Sequence, residues 1–240
     1  MMPAVLMRRQ GSRSDSRRTM AALVRRLTAL VLIAFFLNCY SPNPLLATGD
    51  RPVQIVVLGD SLSAGFGLPS GAAFPTRLEQ VLRDKGYAVT IVNAGVDGDT
   101  VSDGLRRLDS SVPNGTEAVI IELGPNDAEG GVDPNVTKAG LASMLQWFKQ
   151  RDIQVLLTGM RASPSMVPAY VHAFAAIYPA LASTYSFVWY PYILDGVAGN
   201  PALIQLDGEH PNAAGVNVIV LRMLPRVEQL IARVRAARRR

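Results

Sequence analysis

The chain is predicted to fold as an α/β protein, a three-layer α/β/α sandwich built on a five-stranded parallel sheet. Short apolar runs alternate along the chain with stretches in which apolar residues recur at helical spacing, the pattern of successive βαβ units. Several of the runs are apolar without a break, as strands buried on both faces are. The predicted strands are 53–58, 88–92, 118–123, 153–158 and 187–190.

The predicted helices fill the intervals between these strands. The first carries Phe74, Leu78, Val81 and Leu82, and it ends at Gly86, a residue that commonly terminates helices. The last helix is predicted over 212–235, with Asn212 as its N-cap. The others are marked by Leu105 and Leu108, by Leu141, Met144, Leu145 and Phe148, and by Val171, Phe174, Ile177, Tyr178 and Leu181.

The net charge of +5 is confined to the first 50 residues. They hold seven arginines against Asp15 and Asp50, whereas the remaining residues hold 17 basic and 17 acidic side chains. A neutral folded part is not expected to bind nucleic acid, because that binding depends on a basic surface. A second cluster, Arg233, Arg235 and 238–240, is expected to be the solvated end of the last helix, where cations favour the helix dipole.

Residues 1–50 are predicted to be a leader and residues 51–240 one folded domain. Arginines between positions 8 and 26 precede the apolar run Leu27 to Leu37, and a polar stretch follows. This order is typical of a secretory signal peptide, and the run is short for a membrane span, which needs about 20 residues. We therefore expect an exported, periplasmic or secreted protein, with an uncleaved anchor as the alternative and membrane contact only through the leader. Cys39 is the only cysteine, so neither an intramolecular disulfide nor a cysteine-based metal site can form.

Polar residues collect where the predicted strands end. The sequence Gly59-Asp60-Ser61 follows the first strand directly, and ligands bind at the carboxyl ends of strands in open α/β sheets. A serine hydroxyl needs a base to become a nucleophile, and histidine is the usual one. Of the two histidines, His172 falls in a predicted helix, whereas His210 lies in a loop, three residues after Asp207. Asp207 could orient the imidazole, which gives a predicted catalytic triad of Ser61, His210 and Asp207.

A serine nucleophile also requires donors for the oxyanion that its attack creates. The backbone N–H of Ser61, the N–H of Gly98 and the side-chain amide of Asn126 are the predicted donors, and Gly124 would let Asn126 turn towards the site. Each of these motifs alone is an ordinary turn sequence. Their occurrence in one chain, each after a predicted strand or before a helix, favours the functional interpretation.

At these residues the chain resembles the SGNH/GDSL hydrolases, and within them the bacterial periplasmic thioesterase I, lysophospholipase L1 and arylesterase group. The matching blocks are GDSLSAGFGL with Ser61, NAGVDGDT with Gly98, ELGPND with Asn126, and DGEHPN with Asp207 and His210. The resemblance implies a flavodoxin-like sheet of strand order 2-1-3-4-5 and no metal or organic cofactor. It also implies hydrolysis of an ester, thioester or lysophospholipid.

The stretch VPAYVHAFAAIYPALA is similar to a helix that flanks the acyl-binding groove in that group. An apolar acyl part could be bound beside the site, although a core-packing role is an equal alternative. The predicted groove residues are Phe66, Leu68, Met160, Met166, Val167 and Tyr170. The chain departs from the group at Pro125, where glycine or alanine is usual, and in AEGGVD, where many members carry an Arg-Gly pair. These departures bear on the acyl-chain preference.

Other interpretations explain less. An α/β-hydrolase would need Gly-x-Ser-x-Gly, which is not in the sequence. A dinucleotide site would need a third glycine where Ser70 stands. A non-catalytic module of the same fold would be expected to lack at least one of four polar side chains. All four are present, namely Ser61, Asn126, Asp207 and His210. A carbohydrate-deacetylating member of the fold is a further alternative.

Overall fold

Residues 51–240 are described by a computed structural model. They contain a five-stranded sheet of order β2-β1-β3-β4-β5 in which every pair is parallel. The predicted fold class and strand order are confirmed. The strands are β1 (Val53–Gly59), β2 (Val89–Gly95), β3 (Ala118–Glu122), β4 (Gln154–Thr158) and β5 (Val188–Tyr190).

Eight α-helices lie between and after the strands of this region. They are α1 (Ser61–Ala64), α2 (Phe74–Asp84), α3 (Val101–Arg106), α4 (Leu108–Ser111), α5 (Pro125–Glu129), α6 (Pro134–Gln150), α7 (Pro168–Tyr185) and α8 (Ala213–Ala237). Helices α2 and α8 pack together in one outer layer, and α3, α6 and α7 pack in sequence in the other. Every residue of β3 is buried, as expected for a parallel strand covered on both faces.

The helix ends follow the predicted signals. Gly86 has φ of +85° just beyond α2, a backbone conformation that favours glycine. Asn212 caps α8, since its side-chain oxygen accepts from the N–H groups of Ala214 and Gly215 at 3.0 Å each. Both assignments are confirmed. Between residues 51 and 240 the chain forms no helix that is both long and apolar enough to cross a membrane.

Two local predictions were wrong. The short helix around Leu105 and Leu108 is divided into α3 and α4 at Arg107. The arginines at the end of α8 are not simply solvated. Arg238 donates to both carboxylate oxygens of Glu117 and to the two backbone carbonyls just before β1, so it connects the end of α8 to the segments that precede β1 and β3.

Candidate active site

The site lies at the carboxyl ends of the three adjacent strands β2, β1 and β3. Gly59 at the end of β1 is aligned with Gly95 of β2 and with Glu122 of β3. Because the strands are parallel and in register there, the segments that follow them leave the sheet side by side. These segments carry Ser61, Gly98 and Asn126, which the sequence assigned to one site.

Ser61 is the first residue of α1, immediately after the turn out of β1. The side chain of Asp60 accepts a hydrogen bond from the Leu62 N–H at 3.0 Å and so caps the helix. Glycine is required at Gly59 because a Cβ there would lie 2.2 Å from Ser63 Oγ and 2.5 Å from Glu122 Oε2. The turn is therefore packed tightly against β3.

Ser61, His210 and Asp207 form a continuous row of hydrogen bonds. Ser61 Oγ lies 2.9 Å from His210 Nε2, and His210 Nδ1 lies 2.9 Å from Asp207 Oδ2. Since Oδ2 can only accept while Asp207 is ionised, Nδ1 carries the proton and Nε2 is left to accept one from serine. The structure thus brings together the three residues that the sequence assigned to the triad.

Asp207 is held in place by its own loop. Its Oδ1 accepts from the N–H groups of Glu209 at 2.9 Å and His210 at 3.0 Å. These two backbone hydrogen bonds, with the contact to the His210 ring, lower the pKa of the Asp207 carboxyl. The carboxylate therefore stays ionised at neutral pH and can stabilise a protonated imidazole.

The loop that carries His210 is attached to the segment after Ser61. Gln205 donates from Nε2 to the Phe66 carbonyl at 2.8 Å and to the Pro211 carbonyl at 3.1 Å. The Phe66 ring packs against the His210 ring with centroids 4.5 Å apart. Nothing in the sequence around Gln205 indicated this role, because the contact joins positions 139 residues apart.

Asn126 and the loop of Gly98 are joined directly. Asn126 Nδ2 donates to the Asp99 carbonyl at 2.9 Å and approaches Asp60 Oδ2 at 3.3 Å. Gly98 has φ of +78°, and its N–H donates to no oxygen within residues 51–240. Gly124, with φ of +125°, is also required, since a Cβ there would lie 2.1 Å from the Tyr178 hydroxyl. The amide of Asn126 is thus fixed next to the nucleophile turn.

Arg107 connects the strand ends that carry these loops. Its guanidinium donates to the carbonyls of Gly59 at 2.9 Å and Ala94 at 2.8 Å, to Ser111 Oγ at 2.9 Å, and to Asp99 Oδ2 at 2.5 Å. Sequence analysis missed this residue. It lies next to Arg106 in a short helical stretch, and two of its four partners are backbone carbonyls of β1 and β2 that only the fold brings near.

Two buried carboxyl groups, those of Asp60 and Glu122, lie next to Ser61. Asp60 and Glu122 are both fully buried. Burial raises the pKa of Asp60 to about 7, against opposing hydrogen bonds from Leu62 and Ser61. Burial, with the neighbouring Asp60 carboxyl, raises the pKa of Glu122 well above its ordinary value. Sequence analysis missed Glu122, although a single glutamate in the run Ala118 to Leu123 was a signal that could have found it.

The predicted groove residues occupy different environments. Phe66 is 45% exposed and Val167 is 70% exposed, whereas Met160 is 3% exposed and belongs to the core. The others, Leu68, Met166 and Tyr170, are partly buried and pack against the core. For Met160 the core-packing alternative describes its position. His172 is exposed on α7, and it takes no part in the row of hydrogen bonds that His210 completes.

Within the described residues no group of three or more His, Cys, Asp or Glu side chains is arranged to hold a metal ion. The Asp97 and Asp99 pair flanks Gly98 in a turn, and Asp99 is paired with Arg107.

The fold and the site define a carboxylic ester hydrolase of the α/β/α sandwich type. The sequence model of the GDSL-like lipase/acylhydrolase family matches residues 57–218, and the chain belongs to that family. Among similar proteins, the esterase TesA of Pseudomonas aeruginosa is 35% identical over 189 residues, which is 78% of this chain and 94% of that protein. The thioesterase 1/protease 1/lysophospholipase L1 of Escherichia coli is 36% identical over 159 residues, 66% of this chain and 75% of that protein.

Solved structures agree with this assignment. The crystal structure of TesA superposes with a TM-score of 0.71 at 35% identity and covers 74% of this chain and 99% of that chain. AlinE4, described as a SGNH-hydrolase family esterase, superposes with a TM-score of 0.64 at 40% identity, over 76% of this chain and 98% of that chain.

Proposed function

We propose that the chain hydrolyses acyl esters or thioesters through an acyl-enzyme on Ser61. The observation that carries the proposal is the row of hydrogen bonds from Ser61 Oγ through His210 to Asp207, with both donor–acceptor distances at 2.9 Å. The first distance suits proton transfer from Ser61 Oγ to His210 Nε2, and the second lets the Asp207 carboxylate orient the ring without taking a proton. Because Ser61 is 8% exposed and follows a capped turn, its hydroxyl is fixed at the sheet edge where substrate would enter.

In the first step Ser61 Oγ attacks the carbonyl carbon while His210 Nε2 takes its proton. Asp207 keeps the ring oriented and offsets the positive charge that forms on it. His210 then returns the proton to the leaving alcohol or thiol. Water, deprotonated by His210, attacks the acyl-enzyme in the same way and releases the carboxylic acid.

The negative charge on the substrate oxygen would be stabilised by three donors, the N–H groups of Ser61 and Gly98 and the amide of Asn126. The Ser61 N–H opens α1 and so has no partner within that helix. Asn126 Nδ2 donates to the Asp99 carbonyl at 2.9 Å and to Asp60 Oδ2 at 3.3 Å, and the second, longer hydrogen bond is the one that would be exchanged for a bond to the oxyanion. No metal or organic cofactor enters any of these steps.

For the substrate we infer a small-molecule acyl ester, thioester or lysophospholipid with an apolar acyl part. Relatives named as an esterase, an arylesterase and a thioesterase/lysophospholipase support this range. Phe66 and Val167 supply exposed apolar surface, and Leu68, Met166 and Tyr170 lie partly buried. The acyl chain would be bound by such surfaces through burial of apolar area.

We also propose that residues 1–50 direct export to the periplasm or beyond the cell, and that residues 51–240 are the hydrolase domain. The leader lies outside the described residues, so the proposal depends on the sequence pattern. Residues 51–240 hold 17 basic and 17 acidic side chains. This balance supports the proposal that the domain does not bind nucleic acid, because such binding depends on a basic surface.

A fluorophosphonate probe combined with esterase assays over a series of acyl lengths tests the proposal. Wild-type protein should be labelled once per chain and should hydrolyse at least part of the series, while Ser61→Ala should lose both properties. His210→Ala is assayed beside Ser61→Ala. Its matched control is His172→Ala, because His172 is exposed on α7. Labelling and activity retained by Ser61→Ala would show that the nucleophile is another residue.

A further inference from the structure

Glu122 lies directly behind the turn that carries Ser61. It is the last residue of β3 and is fully buried. Its Oε2 accepts a hydrogen bond from Ser63 Oγ at 2.6 Å and one from the Asp60 N–H at 3.3 Å. The two donors flank Ser61 in the sequence, so one carboxyl oxygen holds the backbone before the nucleophile and the side chain after it.

No cation neutralises this carboxyl. Within residues 51–240 Glu122 forms no ion pair, and its Oε1 has no hydrogen-bond partner. A buried ionised carboxylate without a cation is strongly destabilising, because its desolvation is not repaid by an ion pair. Oε1 of Glu122, which has no hydrogen-bond partner in this part of the chain, therefore does not stabilise the fold. A residue kept only for packing at this position would be served as well by an apolar side chain.

We propose that Glu122 is a positioning residue for the nucleophile. It acts through the two hydrogen bonds that Oε2 accepts, from Asp60 N–H and from Ser63 Oγ. The proposal rests on Ser61 as the nucleophile. Displacement of the turn would move Ser61 Oγ away from His210 Nε2, 2.9 Å distant. It would also move Asp60, whose Oδ2 is 3.3 Å from Asn126 Nδ2. Glu122 thus acts on both the nucleophile and the amide beside it without touching substrate.

The protonated form of Glu122 is the one that fits this role. Burial and the neighbouring Asp60 carboxyl raise the pKa of Glu122 well above its ordinary value, against hydrogen bonds from Ser63 and Asp60. A neutral carboxylic acid and a carboxamide both offer one carbonyl oxygen as acceptor and place a donor on the other atom. Glutamine should consequently keep the acceptor for Asp60 N–H and Ser63 Oγ and, with it, the position of the turn. The titratable and charged groups around Glu122 and its neighbour Asp60 are Tyr178, His210, Glu129 and Arg107.

Three variants separate positioning from packing. Glu122→Gln keeps the acceptor, Glu122→Met removes it at similar volume, and Ser63→Ala removes one of the two donors. We measure kcat and KM with a soluble p-nitrophenyl ester, the second-order rate of fluorophosphonate labelling, and the melting temperature of every variant. Ser143→Ala is the matched control for Ser63→Ala, because Ser143 is a helical serine that bonds only to the carbonyl of its own helix turn.

Glu122→Gln should stay within about threefold of the wild-type kcat and labelling rate, because the acceptor is kept. Glu122→Met should lose about tenfold to a hundredfold in kcat and in labelling rate, with KM unchanged, as expected for a displaced reacting group. The double variant Ser63→Ala/Glu122→Met removes the unpaired serine hydroxyl, so it should regain melting temperature without regaining kcat.

A folded Glu122→Met protein with wild-type kcat and labelling rate would overturn the proposal. So would a double variant that recovers kcat together with stability, because that result describes a packing residue. If Glu122→Met does not fold, Glu122→Gln and Ser63→Ala decide, and a Ser63→Ala protein with unchanged kcat and labelling contradicts the role. Failure of the proposed function is distinguished by wild-type protein that is not labelled at Ser61.

Discussion

Replacement of Arg107 should loosen the whole edge of the sheet that carries the site. The guanidinium donates to the carbonyls of Gly59 and Ala94, which are the ends of β1 and β2, and forms an ion pair with Asp99. Arg107 and Asp99 are 18% and 13% exposed in their side chains. Arg107→Met fills similar space and leaves these acceptors without their donor.

The magnitude follows from the number of contacts and their burial. Hydrogen bonds to a charged group contribute about 1.5–3 kcal/mol each, but the acceptors share one side chain and the contributions do not add. Removal of one partner from a largely buried ion pair costs about 3–5 kcal/mol. We therefore expect Arg107→Met to lose about 3–5 kcal/mol of unfolding free energy, which lowers the melting temperature by roughly 6–20 °C in a domain of this size.

Urea unfolding at pH 7 measures the loss, and Arg106→Met is the matched control. Arg106 precedes Arg107 in the chain, but its side chain is 73% exposed and pairs only with Asp103, so its removal should cost less than about 1 kcal/mol. Arg107→Lys should recover only part of the loss, because an ammonium group cannot reach all the acceptors at once. Equal unfolding free energies for Arg107→Met and Arg106→Met would refute the reasoning.

Three further changes have defined outcomes. Asp207→Asn should keep the fold and lower kcat by about 10⁴, because the amide would favour the wrong imidazole tautomer; a titration of labelling rate with the fluorophosphonate probe checks it, and a loss under tenfold would contradict it. Gly59→Ala should destabilise by about 1–3 kcal/mol or more, since its Cβ would lie 2.2 Å from Ser63 Oγ, whereas Gly71→Ala, where a Cβ meets nothing within 4 Å, should be nearly neutral in the same thermal unfolding assay. Burial would raise the pKa of Glu117, but hydrogen bonds from Arg238 and Gln54 and the charges of Arg238 and Arg51 outweigh it and the pKa is lowered. A lowered carboxyl pKa contributes stability above the unfolded value and loses it as the pH falls through the folded value, so the difference in unfolding free energy between wild type and Glu117→Gln should be full at pH 7 and should shrink as the pH falls below about 4.5; a difference that grows on acidification would show that the sign is wrong.

The residues that sequence analysis could find are those that lie in a recognisable local sequence pattern. The strand β1 is an unbroken apolar run, and Ser61 follows it at once, so the sheet edge and the nucleophile were visible together. Asp207 and His210 are three residues apart, and their 2.9 Å contact closes within one loop. Gly98 follows β2 and Asn126 follows β3, the two strands on either side of β1, and the parallel order brings them to the same edge as Ser61. Each of these placements needed only the strand pattern and local chemistry.

The residues that were missed act across long stretches of chain. Arg107 reaches Gly59, 48 positions earlier, and Arg238 reaches Glu117, 121 positions earlier. Neither has a local pattern that distinguishes it from an arginine in solvent, and for this reason the sequence predicts only a solvated helix end for the C-terminal cluster. Partners of this kind become neighbours only when the sheet order has been fixed.

Glu122 belongs to neither group, and it shows how much of the site depends on the residues behind it. Its signal was local, a single acidic residue in an apolar strand, yet its meaning depends on Ser63 and Asp60, which lie 59 and 62 positions away. Glycine at position 59 leaves the space in which Ser63 and Glu122 make contact, because a Cβ there would clash with both side chains. The turn that carries Ser61 is thus held by Glu122 from below, by Arg107 through the Gly59 carbonyl, and by the Asp60 cap from within. A serine so constrained can present its hydroxyl to His210 with little reorganisation when substrate binds, which is the condition for efficient attack.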